Sequence, residues 1–258
     1  MRGKICYLGD GSLRGAASYL AGIMLHHGLK FDYVPSDAAP PPAFSSEAYA
    51  LYVVSDYPAS RFGAAAMAQV AEAVGQGAGL VMLGGWESFF GRLGEYHQSP
   101  LAEVLPVLMH ESDDRRNCAQ PCLIQKTADH PILAGLPWDE PPGIGGFNAL
   151  RAKPGTQTLL DAVQFAVRRT GDEFQFARGR AWPLLVVGQH GRGRTAALAT
   201  DVAPHWVGGL VDWGDGRIVQ DVAGETIEVG NWYARFFANL LAWTGNFGVP
   251  SPSGRGLG

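Results

Sequence analysis

Residues 79–91 read GLVMLGGWESFFG. Leu80 to Leu83 form a short apolar run that stops at Gly84-Gly85, and Trp86, Glu87 and Ser88 follow at once. A run of this length bounded by glycine predicts a strand buried on both faces. Gly84 and Gly85 let the backbone turn sharply and come close to a ligand. With a helix behind the turn, its first N–H groups would receive an anion or oxyanion. Trp86 carries no nucleophile. Ser88 is either a nucleophile or a helix cap. Glu87 is an acid, a base or a substrate clamp, or else a solvated first-turn residue favoured by the helix dipole.

Outward from this stretch the same grammar repeats. KICYLGD (4–10), FDYVP (31–35) and ALYVVSDYP (50–58) are apolar runs that end in turn residues. LRGAASYLAGIMLHHG (13–28) and RFGAAAMAQVAEAVGQG (61–77) carry apolar residues at helical spacing and close on glycine. Between them SDAAPPPAFSSEAY (36–49) reads as a loop, with Ser45-Ser46 placed to cap one helical turn. Strand, helix and strand joined by short connections predict an α/β protein with a parallel sheet covered on both faces.

Downstream the pattern loosens. Residues 99–109 read as a short helix and a strand, 110–120 as a polar loop, 122–127 as a strand, 129–146 as irregular and 156–164 as a strand. WPLLVVGQHGRGRTAALATD (182–201) is two apolar runs around Gly191-Arg192-Gly193, a β-hairpin near the C-terminal end. NWYARFFANLLAWTG (231–245) is an amphipathic helix with an aromatic face, which suits either the core or a homo-oligomer interface. One domain over 1–245 and a loose tail over 246–258 are expected.

The bulk numbers narrow the function. The 258 residues are 47% hydrophobic with a net charge of −4, enough for one large core and without the basic patch a nucleic-acid partner needs. No apolar run approaches the roughly 20 residues of a membrane span. Three cysteines argue against a disulfide framework and for a reducing, cytoplasmic setting. Cys118 and Cys122 have C-x3-C spacing near His110 and His130, but lack a second ligand pair, so no metal or cofactor is expected.

Ligands of open parallel sheets gather outside the carboxyl ends of the strands. Those ends carry Asp10, Asp56 and the Gly84–Ser88 turn. Asp10 suits a turn or cap, whereas Asp56 lies on the strand expected beside the turn. Tyr96 and His97 follow in GEYHQSP (94–100), and His97 is a general-base candidate. ATDVAPHW (199–206) repeats the layout, with Asp201, His205 and Trp206 after a strand. Glu87, His97 and His205 are thus the candidate catalytic groups. Asp56, Gly84, Gly85, Trp86, Ser88, Tyr96, Asp201 and Trp206 are the candidate ligand contacts.

The order of these pieces, with GLVMLGGWESFFG, YHQSPLAEVLPV, DHPILAGLP and PLLVVGQHGRGRTAALATDVAPHW, resembles the class I glutamine amidotransferase-like superfamily. It is most similar to the "putative glutamine amidotransferase" branch of bacterial cytoplasmic proteins, related to ThuA-type proteins. The likeness spans roughly residues 3–245. It implies a flavodoxin-like three-layer sandwich. Catalytic members of the superfamily carry a cysteine in a G-x-C-x-G elbow and a later His-x-Glu. Here the elbow position falls on Gly85-Trp86, and His205 is followed by Trp206-Val207. Without a thiolate no thioester forms. The expectation is a small polar ligand, a sugar or an amino-acid derivative, bound at the strand ends without glutamine hydrolysis. Two other readings stand beside it: a hydrolase or isomerase using His and carboxylate groups, and a non-catalytic oligomeric or regulatory subunit.

Overall fold

The computed structural model describes residues 3–41 and 49–248. The expected helical turn at Ser45-Ser46 and the chain from 249 onward lie outside the described residues.

The first third follows the sequence closely. It runs β1 (Lys4–Gly9), α1 (Ala17–His26), β2 (Phe31–Pro35), β3 (Tyr49–Ser55), α2 (Ala59–Phe62), α3 (Ala64–Gly75) and β4 (Gly79–Leu83). β2, β1, β3 and β4 pair in parallel in that order. Every residue of β4 is buried, as an apolar run without alternation requires. The single helix expected over 61–77 is two. Gly63 takes a left-handed φ of 78°, ending α2 and opening α3. No helix follows the Gly84-Gly85 turn: residues 84–95 are irregular, and the next α-helix is α4 (Pro100–Val104).

The rest of the chain builds a second half of the same sheet. β5 (Val107–Leu108) pairs with β8 (Arg151–Ala152) apart from it. β6 (Arg115–Lys126), β7 (Gly143–Asn148), β9 (Gln157–Thr170), β10 (Glu173–His190) and β11 (Gly193–Leu198) extend the main sheet to nine strands, ordered β2-β1-β3-β4-β11-β10-β9-β6-β7. β11 is the seam: it runs parallel to β4 and antiparallel to β10. The fold is therefore mixed α/β, parallel on one side of β11 and antiparallel on the other.

Residues 110–120, expected as a loop, contain the start of β6. That strand is exposed along much of its length, so its polar sequence hides it. The hairpin turn at Gly191-Arg192 is where the sequence put it, but β9 and β10 run further and form a long ribbon. Phe174 and Phe176 are exposed near its tip.

The chain closes with α5 (Pro204–Val207), the hairpin β12 (Arg217–Val222) and β13 (Glu225–Gly230), and α6 (Asn231–Thr244). Tyr233, Phe236, Phe237, Leu240 and Leu241 of α6 are fully buried, so its aromatic face belongs to the core. Phe247 packs back onto that core, and its N–H bonds the Ala242 carbonyl at 3.0 Å.

Removing a buried aromatic loses apolar burial and leaves a cavity. Phe237→Ala is therefore expected to cost about 3–5 kcal/mol in chemical denaturation. Phe176→Ser, at 71% exposure, should change stability by less than about 0.5 kcal/mol.

Candidate functional site

The turn after β4 is held by carboxyl and amide side chains from three other segments. Asp56 leaves β3 with a left-handed φ of 47°, a conformation aspartate tolerates better than most residues. This directs its carboxylate at the turn, where Oδ1 accepts the Glu87 N–H at 2.8 Å. In return the Asp56 N–H donates to Ser88 Oγ at 3.0 Å. A Cβ at Gly85 would sit 2.1 Å from Asp56 Oδ1, and one at Gly84 would sit 2.1 Å from the Ala199 carbonyl. Both glycines are thus forced by close approach.

Asn148, at the end of β7, brackets Gly85. Its carbonyl accepts the Gly85 N–H at 2.9 Å, and its amide donates to the Gly85 carbonyl at 3.1 Å and to Asp114 at 2.8 Å. Asp114 in turn accepts the N–H groups of Phe90 and Gly91. The N–H groups of residues 85, 87, 90 and 91 are therefore all taken. No helix begins at the turn to offer the expected row of N–H groups, and these four donors are already occupied by side-chain oxygens.

Ser88 is fully buried and serves as the acceptor for Asp56. Trp86 is 42% exposed and stacks under the Arg115 guanidinium, 4.3 Å from the ring centroid. Arg115 is itself clamped by both oxygens of Asp113.

The second strand end lies beyond β11. Asp201 is 1% exposed. Its Oδ1 accepts the N–H groups of Val202 and Ala203, the second at 3.2 Å. Its Oδ2 is buried with no hydrogen-bond partner among the described residues, and faces His205 Nδ1 at 3.6 Å. The His205 side chain is 57% exposed, so the pair joins a buried carboxyl to a solvent-facing imidazole.

Electrostatics tie the strand ends together. Burial holds the Asp201 carboxyl up at about 6, with the Asp10 charge adding to the rise and His205 opposing it. Burial also raises Asp56 well above the usual carboxylate range, and the charges of Asp201, Asp10 and Glu87 push the same way. Glu87 is raised by burial and by Asp10, against the pull of Arg61. Asp10, Asp56, Glu87 and Asp201 thus form one acidic group at the ends of β1, β3, β4 and β11, with His205 and Arg61 as its basic neighbours. Three buried tyrosines border it: Tyr7, Tyr96, and Tyr233, which donates to the Val202 carbonyl at 2.6 Å.

Of the other expected residues, Tyr96 feels the Glu87 charge from within the core, while His97 and Trp206 lie apart from this group. His97 stacks on Phe90 at 4.9 Å, and among the described residues no interaction ties it to the acidic group. Tyr96 is fully buried and donates to the Tyr57 carbonyl. Trp206 is 2% exposed, packs over Gly146 and donates to Asn117 at 2.8 Å. Of the three aromatics expected to wall a cleft, only Trp86 reaches solvent appreciably. A cleft of about 630 Å³ opens elsewhere, beside β6 and β9, lined in part by Gln125, Trp138, Phe165 and Arg178. Asp114, Asn148 and Arg61 were not singled out by the sequence. Asp114 falls in the stretch read as a loop, and Asn148 between two stretches, where no element was assigned, so no strand-end signal marks them.

A mixed sheet with a glycine turn and acidic residues at the strand ends is an α/β arrangement consistent with the expected superfamily. Residues 49–222 match the family described as Putative glutamine amidotransferase, and the chain belongs to that family. Among solved structures it is similar to the Cytoplasmic Protein STM1381 from Salmonella typhimurium LT2, at 27% identity and a TM-score of 0.72, covering 93% of this chain and 99% of that one. The Cytoplasmic Protein STM3548 from Salmonella typhimurium gives 23% identity and a TM-score of 0.72, over 93% and 98% of the two chains. A Putative thua-like protein from Parabacteroides merdae shares the fold at 12% identity and a TM-score of 0.60, over 99% and 94%. No curated protein matches the chain. Among the described residues no helix is long and apolar enough to cross a membrane, and no cluster of three or more His, Cys, Asp or Glu side chains is placed to hold a metal ion.

The raised Asp201 carboxyl has a signed consequence. An acid whose folded pKa exceeds its unfolded value binds its proton more tightly in the folded state, so stability falls as pH rises through the interval between the two values. For Asp201 that interval runs from about 3.8 to about 6. Asp201→Asn keeps the Oδ1 acceptor and removes the charge. It should stabilise the protein by on the order of 2–3 kcal/mol at pH 7 and by little at pH 4, read as the difference between two melting curves.

Proposed function

We propose that the protein binds a small polar metabolite, a sugar or an amino-acid derivative, at the strand ends, and does not hydrolyse glutamine. The observation that carries this reading is Asp201 Oδ2: a buried carboxyl oxygen without a hydrogen-bond partner among the described residues, facing the exposed His205 imidazole. Such an oxygen is costly to leave unmet, and a ligand hydroxyl or amino group would satisfy it. Asp56, Glu87 and Asp10 add acceptors, Arg61 a donor, and Trp86 the flat apolar surface that suits a sugar face. Gly84 and Gly85 keep side chains out of the way.

The case against glutamine hydrolysis is chemical. Residues 79–91 contain no cysteine, and Cys118 and Cys122 sit on β6 with their sulfurs facing each other. Ser88 cannot stand in for the missing thiolate while buried and engaged by Asp56. The acid–base pair of Asp201 and His205 favours a hydrolase or isomerase as the second reading. His205 is the base in that reading, with Asp201 orienting it.

The wider setting belongs to the same proposal. A single domain over 1–245 is supported by the continuous sheet, and a flavodoxin-like three-layer scaffold by α3 and α6 both packing against β11. Cytoplasmic residence is supported by the two Salmonella relatives described as cytoplasmic proteins. The exposed phenylalanines of the β9–β10 ribbon would suit contact with a further copy.

The test is a thermal-shift and calorimetry screen of sugars, polyols and amino acids, with ammonia release from glutamine measured in parallel. A binder is expected whose affinity drops at least about tenfold in both Asp201→Asn and His205→Ala, the loss of a hydrogen bond to a charged group. No ammonia should be released. Unchanged binding in both variants would remove the strand-end site, and ammonia release abolished by Cys118→Ser would restore the amidotransferase chemistry.

A further inference from the structure

β6 contains a wide interruption that the proposed function does not use. Asn117 pairs with Gly146 of β7 and Cys122 with Ile144, so β6 advances five residues while β7 advances two. The surplus forms a bulge, Cys118-Ala119-Gln120-Pro121. Pro121 has no N–H to offer a ladder, which fits its place in a bulge. The bulge folds the strand back on itself and brings Cys118 Sγ to 3.4 Å from Cys122 Sγ. In a regular strand residues four apart lie about 13 Å from each other, so this approach is made by the bulge alone.

The two thiols differ in surroundings. Cys122 is buried, and Cys118 is partly exposed. The sulfur–sulfur contact stabilises a thiolate on Cys118, whose thiol is lowered to about 7, and holds Cys122 in its protonated form. An accessible low-pKa thiol beside a second thiol is the arrangement of an attacking and a resolving cysteine. The third cysteine, Cys6, is buried in β1 and raised to about 12, an inert internal control.

We propose that Cys118 and Cys122 form a reversible thiol–disulfide switch, with Cys118 attacking and Cys122 resolving. The oxidant is a low-molecular-weight disulfide. The Cys118 thiolate attacks one of its sulfurs, and the S–S bond breaks. One small thiolate leaves and takes up a proton, and a mixed disulfide remains on Cys118. Cys122 then gives its proton to solvent and attacks the Cys118 sulfur, expelling the second small thiolate. Two protein thiols lose two electrons, and one small disulfide becomes two thiols. The sulfurs must close to the bonded distance of about 2.05 Å, and the unpaired bulge residues between them supply the freedom. The switch adjoins Asn117, which anchors the Trp206 indole.

The full-length protein is equilibrated with oxidised glutathione, blocked with iodoacetamide under denaturing conditions, and mapped by mass spectrometry. The expected result is a 118–122 disulfide within one chain, reversed by reduced glutathione, with Cys6 still free. Cys122→Ala should stop at a stable glutathione adduct on Cys118. It should also slow native alkylation of Cys118 at pH 7 about tenfold, because the thiol returns toward its ordinary pKa. Cys118→Ser should leave Cys122 unmodified in the native protein. Free Cys118 and Cys122 after oxidation, a disulfide between chains, or unchanged Cys118 alkylation in Cys122→Ala would each overturn the switch.

Discussion

The Asp56 carboxylate occupies the space that a side chain at position 85 would need. This one exclusion sets the turn after β4. Gly85 must be glycine, Asp56 must adopt its left-handed backbone, and the carboxylate must lie buried against the Glu87 N–H. Once it lies there it loses much of its contact with water, and the charged form becomes costly. Asp201 meets the same cost at the neighbouring strand end. Burial holds both carboxyls above the ordinary carboxylate range, and the Asp201 charge raises Asp56 further while the Asp10 charge raises Asp201. The raised pKa values of Asp56 and Asp201 thus follow from the burial that the strand ends impose.

The same geometry separates this site from a nucleophile elbow. An elbow needs a side chain presented outward on a strained turn and free N–H groups behind it. Here the residue at the sharp point is glycine. The N–H groups of residues 85, 87, 90 and 91 are bound by Asn148, Asp56 and Asp114, and no helix begins behind the turn. The turn is a rigid platform. The proposed ligand contacts therefore rest on Asp201 and His205 at the next strand end.

Much of the parallel half was legible because a strand buried on both faces is an unbroken apolar run, as Leu80–Leu83 and Tyr52–Val54 show. Glycine punctuation marked the turn at residue 84, and the repeat of strand, aspartate and histidine marked Asp201 and His205. The antiparallel half was hidden for the opposite reason. β6 and the ribbon tip bury little, so Arg115–Gln120 and Arg168–Arg180 carry no periodic apolar signal. Asp114 and Asn148 were lost with it, since a residue cannot be placed at a strand end before the strand is found. Trp206 and Tyr96 are ambiguous by type: an aromatic beside a turn serves a core as readily as a ligand site, and both side chains are buried in this structure.

The protonation of Asp201 can be followed directly. Carboxyl-carbon NMR of selectively labelled protein, with Asp201→Asn to assign the resonance, gives its titration midpoint. A midpoint near about 6 is expected. A midpoint at the ordinary aspartate value of about 3.9 would contradict the burial of the Asp201 carboxyl on which the proposed binding site rests.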